Sequence, residues 1–253
     1  MSNTKSKHRK SKKKTRTFKP LRLLFLIAVM AVFGYGVYRA SQVIIPKPFV
    51  VVLDPVLGGG AKGLEGYVNE ADYAEHVIGL LNTKFEEQHR IEAVLTHEPD
   101  REMSVEQRAA MINELDPDLV LSIRCDYSPD ENESGMVIYA DPANRTSRKS
   151  MDFARIVAEQ FENSEWYPYE VKTGYMYFHE IGENRYEPLF KEEKESGMTT
   201  WPLMEQTDPV TVICSALFVT NETESQFMTT EEAYENAADL YMKAILQYAG
   251  ENR

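Results

Sequence analysis

Residues 51–60 read Val51-Val52-Leu53-Asp54-Pro55-Val56-Leu57-Gly58-Gly59-Gly60, and this stretch decides the fold. With Phe49 and Val50 it opens as an uninterrupted, Val-rich apolar run. Such a run is the pattern of a strand buried on both faces. An acid and a proline close the strand, and a glycine-rich turn follows. A strand covered on both faces needs helices beside it. Glu70 to Phe85 supplies the first, with Tyr73, Ala74, Val77, Ile78, Leu81 and Phe85 on one helical face.

The alternation continues outward from there. Ala93–Thr96 reads as a second strand. Ser104 with Gln107 three residues later is a capping-box start, and Val105, Ala109 and Ile112 follow at helical spacing. Leu119–Ile123 is another buried strand and Gly135–Ala140 a further one. Ser150–Phe161 is helical, with Phe153, Ala154, Val157 and Phe161 on a face. Val210–Phe218 is the last strong strand. Thr229 with Glu232 caps a final helix striped by Tyr234, Ala237, Ala238, Tyr241, Ile245 and Tyr248. The pattern predicts an α/β fold, a mainly parallel or mixed sheet flanked by helices. Ligands of such sheets bind outside the carboxyl ends of the strands. Glu183 to Thr200 reads as a polar surface loop before the last strand.

Charge divides the chain sharply. The first 22 residues hold ten Lys or Arg and no acid, and the first acid is Asp54. The remainder has 28 − 10 = 18 basic residues against 40 acidic ones, a balance of −22 within the net −12. Leu23 to Tyr38 is uncharged and mostly apolar. A spanning helix takes about 17–25 residues. Arg22 and Arg39 can snorkel, Ala40 extends the run, and Tyr35 and Tyr38 suit an interface. The expected organisation is a basic cytoplasmic tail (1–22), a single-pass transmembrane anchor (23–40), a short linker (41–48) and one extracytoplasmic domain (49–253). The positive-inside rule sets that orientation in the cell membrane. Tyr38-Arg39-Ala40 is a poor cleavage site, so the anchor is expected to stay. Beside a membrane, the tail sets topology and touches anionic lipid; a nucleic-acid partner is not expected.

Several motifs in order carry a resemblance to the zinc-dependent N-acetylmuramoyl-L-alanine amidases, which cut peptides from the bacterial wall. That family opens with a strand and D-P-G-H-G-G; here the frame is Asp54-Pro55-Val56-Leu57-Gly58-Gly59. The family's zinc-binding glutamate corresponds to Glu70 in Glu70-Ala71-Asp72. Its T-R-x-x-D is similar to Thr96-His97-Glu98-Pro99-Asp100. Its L-x-x-R-A-x-x-A-N is similar to Val105 through Asn113, with Arg108-Ala109 in place. Its D-L-x-x-S-I-H-A-N is similar to Asp118 through Asp126, reading Ser122-Ile123-Arg124-Cys125 at the centre. Its P-A-V-L-V-E-L-G-F-L-T-N is similar to Pro209 through Asn221, with one extra residue, so Cys214 or Ser215 takes the place of the catalytic glutamate. The resemblance spans roughly residues 50–250 and implies the amidase-like zinc-hydrolase fold.

The departures fall on the chemistry. The family holds zinc with histidine, glutamate and histidine; this chain offers Leu57, Glu70 and Arg124. Leucine cannot coordinate a metal and arginine stays protonated. Catalytic zinc needs about three protein ligands and a water, and Glu70 alone is a ligand-type residue. The expectation is therefore no catalytic residue, no metal and no cofactor. The vestigial positions are Leu57, Glu70, Arg124, Cys214 and Ser215. Arg124 either gives charge and two parallel donors to Glu70 or points to solvent at its strand end.

Two functions follow from the resemblance. One is an inactive amidase-like domain that binds peptidoglycan or a cell-wall or division protein as a scaffold or regulator. The other is an active amidase with a rebuilt zinc site or a cysteine nucleophile. Cys125 and Cys214 read as small buried residues, with a disulfide or a role as zinc ligands as the alternatives. Trp166, Tyr167 and Tyr169 with Trp201 read as core, with a sugar- or peptide-binding surface as the alternative. Asp130-Glu131-Asn132-Glu133 reads as a solvated loop in a place where loops border ligands.

Overall fold

The structure is a computed structural model. It describes residues 20–44, 47–56, 63–88, 90–98, 101–142, 145–182, 185–193 and 199–252. Leu57 and the glycines at 58–60 lie outside the described residues, as does the tail to residue 19. The chain forms two compact units, Met1–Lys47 and Pro48–Arg253. The first holds α1 (Pro20–Ile44). Its described side chains, residues 23–39, are exposed. At about 1.5 Å per residue they rise about 25 Å, and no helix of the described residues is long and apolar enough to cross a membrane.

The second unit runs β1 (Phe49–Pro55), α2 (Glu70–Glu86), β2 (Ile91–Leu95), α3 (Val105–Leu115), β3 (Leu119–Asp126) and β4 (Met136–Ala140). It continues with α4 (Ser147–Glu162), β5 (Val171–Gly182), β6 (Arg185–Lys191), α5 (Pro202–Gln206), β7 (Thr211–Phe218), α6 (Glu222–Met228) and α7 (Glu231–Glu251). The strands form one sheet in the order β2-β1-β3-β7-β4-β5-β6. β2, β1, β3 and β7 are mutually parallel. β4 runs antiparallel to β7, β5 is parallel to β4, and β6 returns antiparallel. The carboxyl ends of β1, β3 and β7 therefore share one edge with the start of β4.

Burial explains the layers. β3 and β7 are buried almost throughout, as their mostly apolar runs require. One face packs against α2, α4 and α7 through Tyr73, Leu81, Phe153, Phe161 and Tyr241. The opposite face packs against α3 and α5, through Ala109, Ile112 and Leu203, and Met204 sits under Tyr139 and Ile213. The capping box at Ser104 and Gln107 forms in both directions.

Three readings of the sequence change. The last helix is capped by Thr230, whose hydroxyl accepts from the Ala233 N–H. Thr229 instead closes the short α6, which the apolar pattern had not shown. The stretch ahead of β7 is not simply a loop: β5 and β6 form a hairpin that reaches Lys191. Trp166 and Tyr169 are partly buried and pack on Phe227 and against the core beside buried Tyr167. Trp201 belongs to the other face.

Candidate site at the carboxyl ends of the strands

The acid ending β1 anchors the frame. Asp54 is fully buried. One Arg108 nitrogen, Nη1, lies 2.8 Å from its Oδ1 and 2.7 Å from its Oδ2. The Thr96 hydroxyl donates to Oδ1 at 2.7 Å and the Ser122 hydroxyl to Oδ2 at 2.6 Å. A buried carboxylate is tolerable only when paired and hydrogen-bonded in this way. The four residues come from β1, β3, α3 and the turn after β2, so they lock three strands and a helix together. His97, beside Thr96, is also buried, with Nε2 3.1 Å from the Pro55 carbonyl and Nδ1 3.1 Å from that of Glu98.

Glu70 starts α2 at the mouth of the sheet. Asn69 caps that helix by accepting from the Asp72 N–H. The Glu70 carboxylate is buried, and its oxygens accept from the Leu64 N–H at 2.9 Å and the Cys125 N–H at 3.1 Å. Arg124 Nε stands 3.6 Å from Glu70 Oε1 and 4.0 Å from Asp126 Oδ1. Nε donates to the Cys125 carbonyl at 3.2 Å. The guanidinium carbon lies 4.2 Å from the Trp201 ring centre, a cation–π stack. Arg124 thus turns inward beside Glu70 rather than out to solvent. The expected fork of two parallel donors is replaced by a single approach at ion-pair distance, beyond hydrogen-bond reach.

β7 supplies the last positions. Arg124 pairs with Ser215 across the β3–β7 ladder, and Ile123 pairs with Cys214. Ser215 therefore shares the face of Arg124, while Cys214 and Cys125 face the helical core. Beyond this pair the register shifts: Asp126 lies opposite Phe218, so β7 takes three steps against two on β3. Both cysteines are free and buried. Burial pushes both thiols well above their usual range, which leaves neither as a thiolate nucleophile. The Ser215 hydroxyl is buried without a hydrogen-bond partner among the described residues.

Other residues near this edge were not singled out as site residues from the sequence. The Tyr139 hydroxyl donates to Asp126 Oδ2 at 2.6 Å. Burial and the Asp126 charge raise its pKa. Glu224 on α6 is buried, and its oxygens accept from Gly135 N–H at 2.7 Å and Phe218 N–H at 2.9 Å. Burial pushes its carboxyl up to about 7, against the pull of those two bonds. The Asn221–Glu224 spacing was a helix-start signal, and Asn221 does cap α6. Beside Trp201, a cavity of about 460 Å³ opens between Asp126 and the β5–β6 hairpin.

The described residues do not fit a zinc ion. Both Glu70 oxygens are occupied by backbone N–H groups, with a guanidinium nearby. Cys125 and Cys214 face away from Arg124, and no group of three or more His, Cys, Asp or Glu among the described residues is placed to hold a metal.

A profile of the N-acetylmuramoyl-L-alanine amidase family matches residues 51–247, and the chain belongs to that family. Solved structures share its fold. The N-acetylmuramoyl-L-alanine amidase of Clostridium difficile 630 has a TM-score of 0.66 at 17% identity, covering 81% of this chain and 99% of that one. The catalytic domain of CwlV, an amidase of Bacillus (Paenibacillus) polymyxa var. colistinus, has a TM-score of 0.62 at 18% identity, covering 79% and 98%. The CwlD amidase of Clostridioides difficile, solved in complex with the GerS lipoprotein, has a TM-score of 0.60 at 15% identity, covering 80% and 99%. No curated protein sequence matches at a significant level.

Proposed function

We propose that this chain is a membrane-anchored protein whose amidase-shaped outer domain binds peptidoglycan or a wall-enzyme partner without cutting it. One observation carries the reading: Arg124 lies against Glu70 and Trp201 where a metal-based hydrolase needs a ligand and an open coordination site. Ser215, which shares that face, is a poor substitute for a carboxylate general base. The buried network around Asp54 keeps the frame intact while these positions change. α1 would serve as the anchor, with Arg39 snorkelling at the far end of a short span. A protein partner suits the fold, since the similar CwlD amidase forms a complex with a lipoprotein.

The test is direct. Purified full-length protein, supplied with zinc, should release no peptide from isolated cell wall, and measurable release would overturn the reading. In parallel, the wild-type chain should carry no stoichiometric zinc. The double variant Leu57→His, Arg124→His restores the two missing ligand types to the sequence and should bind about one zinc per chain by elemental analysis.

A further inference from the structure

We propose that the aromatic groove beside Trp201 docks a basic peptide segment of a partner protein, one that presents an apolar side chain next to lysine or arginine. This deepens the binding role above by naming the ligand, and it shares the premise that this edge of the sheet meets one. The groove has the form such a segment needs. Tyr139, Met176, Phe178, Phe190 and Trp201 line a cavity of about 460 Å³. The rings brace one another: Trp201 lies 5.2 Å from Phe178 and 5.9 Å from Tyr139, and Phe190 lies 6.0 Å from Tyr139. Phe190 keeps 39% of its surface exposed, and Tyr127 at the rim keeps 59%. Gly174 shapes the floor, because a Cβ there would stand 2.6 Å from the Phe190 ring.

Charge selects the sign of the ligand. Asp126 and Glu133 line the groove, and exposed Asp130 and Glu131 extend the acidic edge along the β3–β4 loop. Lys172 is the single cation among the described lining residues, and it is held by Glu133 at 3.6 Å and Glu170 at 3.4 Å. The chain from residue 48 has 28 − 12 = 16 basic residues against 40 acidic ones, so the whole unit draws cations toward it. A carboxylate-rich ligand meets repulsion along this rim, whereas a lysine or arginine beside an apolar side chain meets acids and rings together.

The test titrates full-length protein in detergent with a fluorescent peptide, Lys-Lys-Phe-Leu-Lys-Lys, read by anisotropy. Binding should saturate and weaken at least about fivefold in the loop variant E131K/E133K, at about 0.5 M salt, and in F190A. Replacing Phe-Leu in the peptide by Ser-Ser should cost as much. Peptide with glutamate for lysine, and soluble wall fragments, should bind at least about tenfold more weakly. Affinity unmoved by both E131K/E133K and F190A overturns the proposal, as do tighter binding of wall fragments or no saturable binding. A rise in affinity on removing residues 1–22 also overturns it, since the chain's own tail would then be the occupant. Wall turnover would end the non-catalytic reading without touching the groove, and a silent titration would end this one without restoring catalysis.

Discussion

At the scale of single residues, the contrast is between two buried acids. Asp54 is matched by a guanidinium and two hydroxyls. Removing the guanidinium leaves a buried charge without its counter-ion, which costs about 3–5 kcal/mol. Arg108→Ala should lower unfolding stability by that amount in a urea titration. The double variant Asp54→Asn, Arg108→Met should recover part of it. Glu224 has two backbone donors and no cation among the described residues, and burial raises its carboxyl from 4.5 to about 7. A raised acid binds its proton more tightly in the folded state, so its contribution is full below about 4.5 and is lost as pH rises through about 7. Stability should therefore fall over that window, by at most about 3 kcal/mol. Glu224→Gln should flatten this part of the profile measured by denaturation against pH.

At the scale of elements, the site depends on how the chain enters and leaves the strands. The turn before α2 is fastened to the chain after β7 by the Tyr67 N–H on the Val219 carbonyl. Gly66 permits this approach, because a Cβ there would collide with that same carbonyl. Gly66→Ala should loosen the turn that supplies the Leu64 N–H to Glu70, costing about 1–3 kcal/mol. Faster hydrogen exchange at Leu64 and Tyr67 should accompany the loss, and unchanged exchange would sink the idea. The register shift after Ser215 works the other way. β7 takes its third step against two only beyond Ser215, so Arg124 and Ser215 stay in register.

At the scale of the whole molecule, the question is where the acidic unit sits. α1 is one helix from Pro20 to Ile44, and its described side chains are exposed and, Arg39 apart, uncharged and mostly apolar. If it anchors the chain, full-length protein should stay in the membrane pellet after alkaline carbonate extraction. A variant lacking residues 1–44 should move to the supernatant. Recovery of the full-length chain in the supernatant would remove the anchor from the proposal and leave the groove and the inert site standing.

Much of this was legible in the sequence because local periodicity records burial. The apolar runs of β1, β3 and β7 and the striped faces of α2, α4 and α7 are direct consequences of covering a sheet on both sides. The capping box at Ser104 needed only neighbouring residues. The β5–β6 hairpin was less legible, since Gly174, Glu187 and Pro188 interrupt its pattern. The family frame named Asp54, Thr96, Arg108 and Ser122 one at a time, whereas only the strand order brings them onto one carboxylate, with Ser122 68 residues away along the chain. The sequence by itself determined the layered fold and the missing ligand types at Leu57 and Arg124. Tertiary structure alone turned Arg124 inward onto Glu70 and Trp201, sent Cys214 to the core and Ser215 to the other face, and opened the groove. Those outcomes depend on pairing between strands far apart in the chain, which no local pattern encodes.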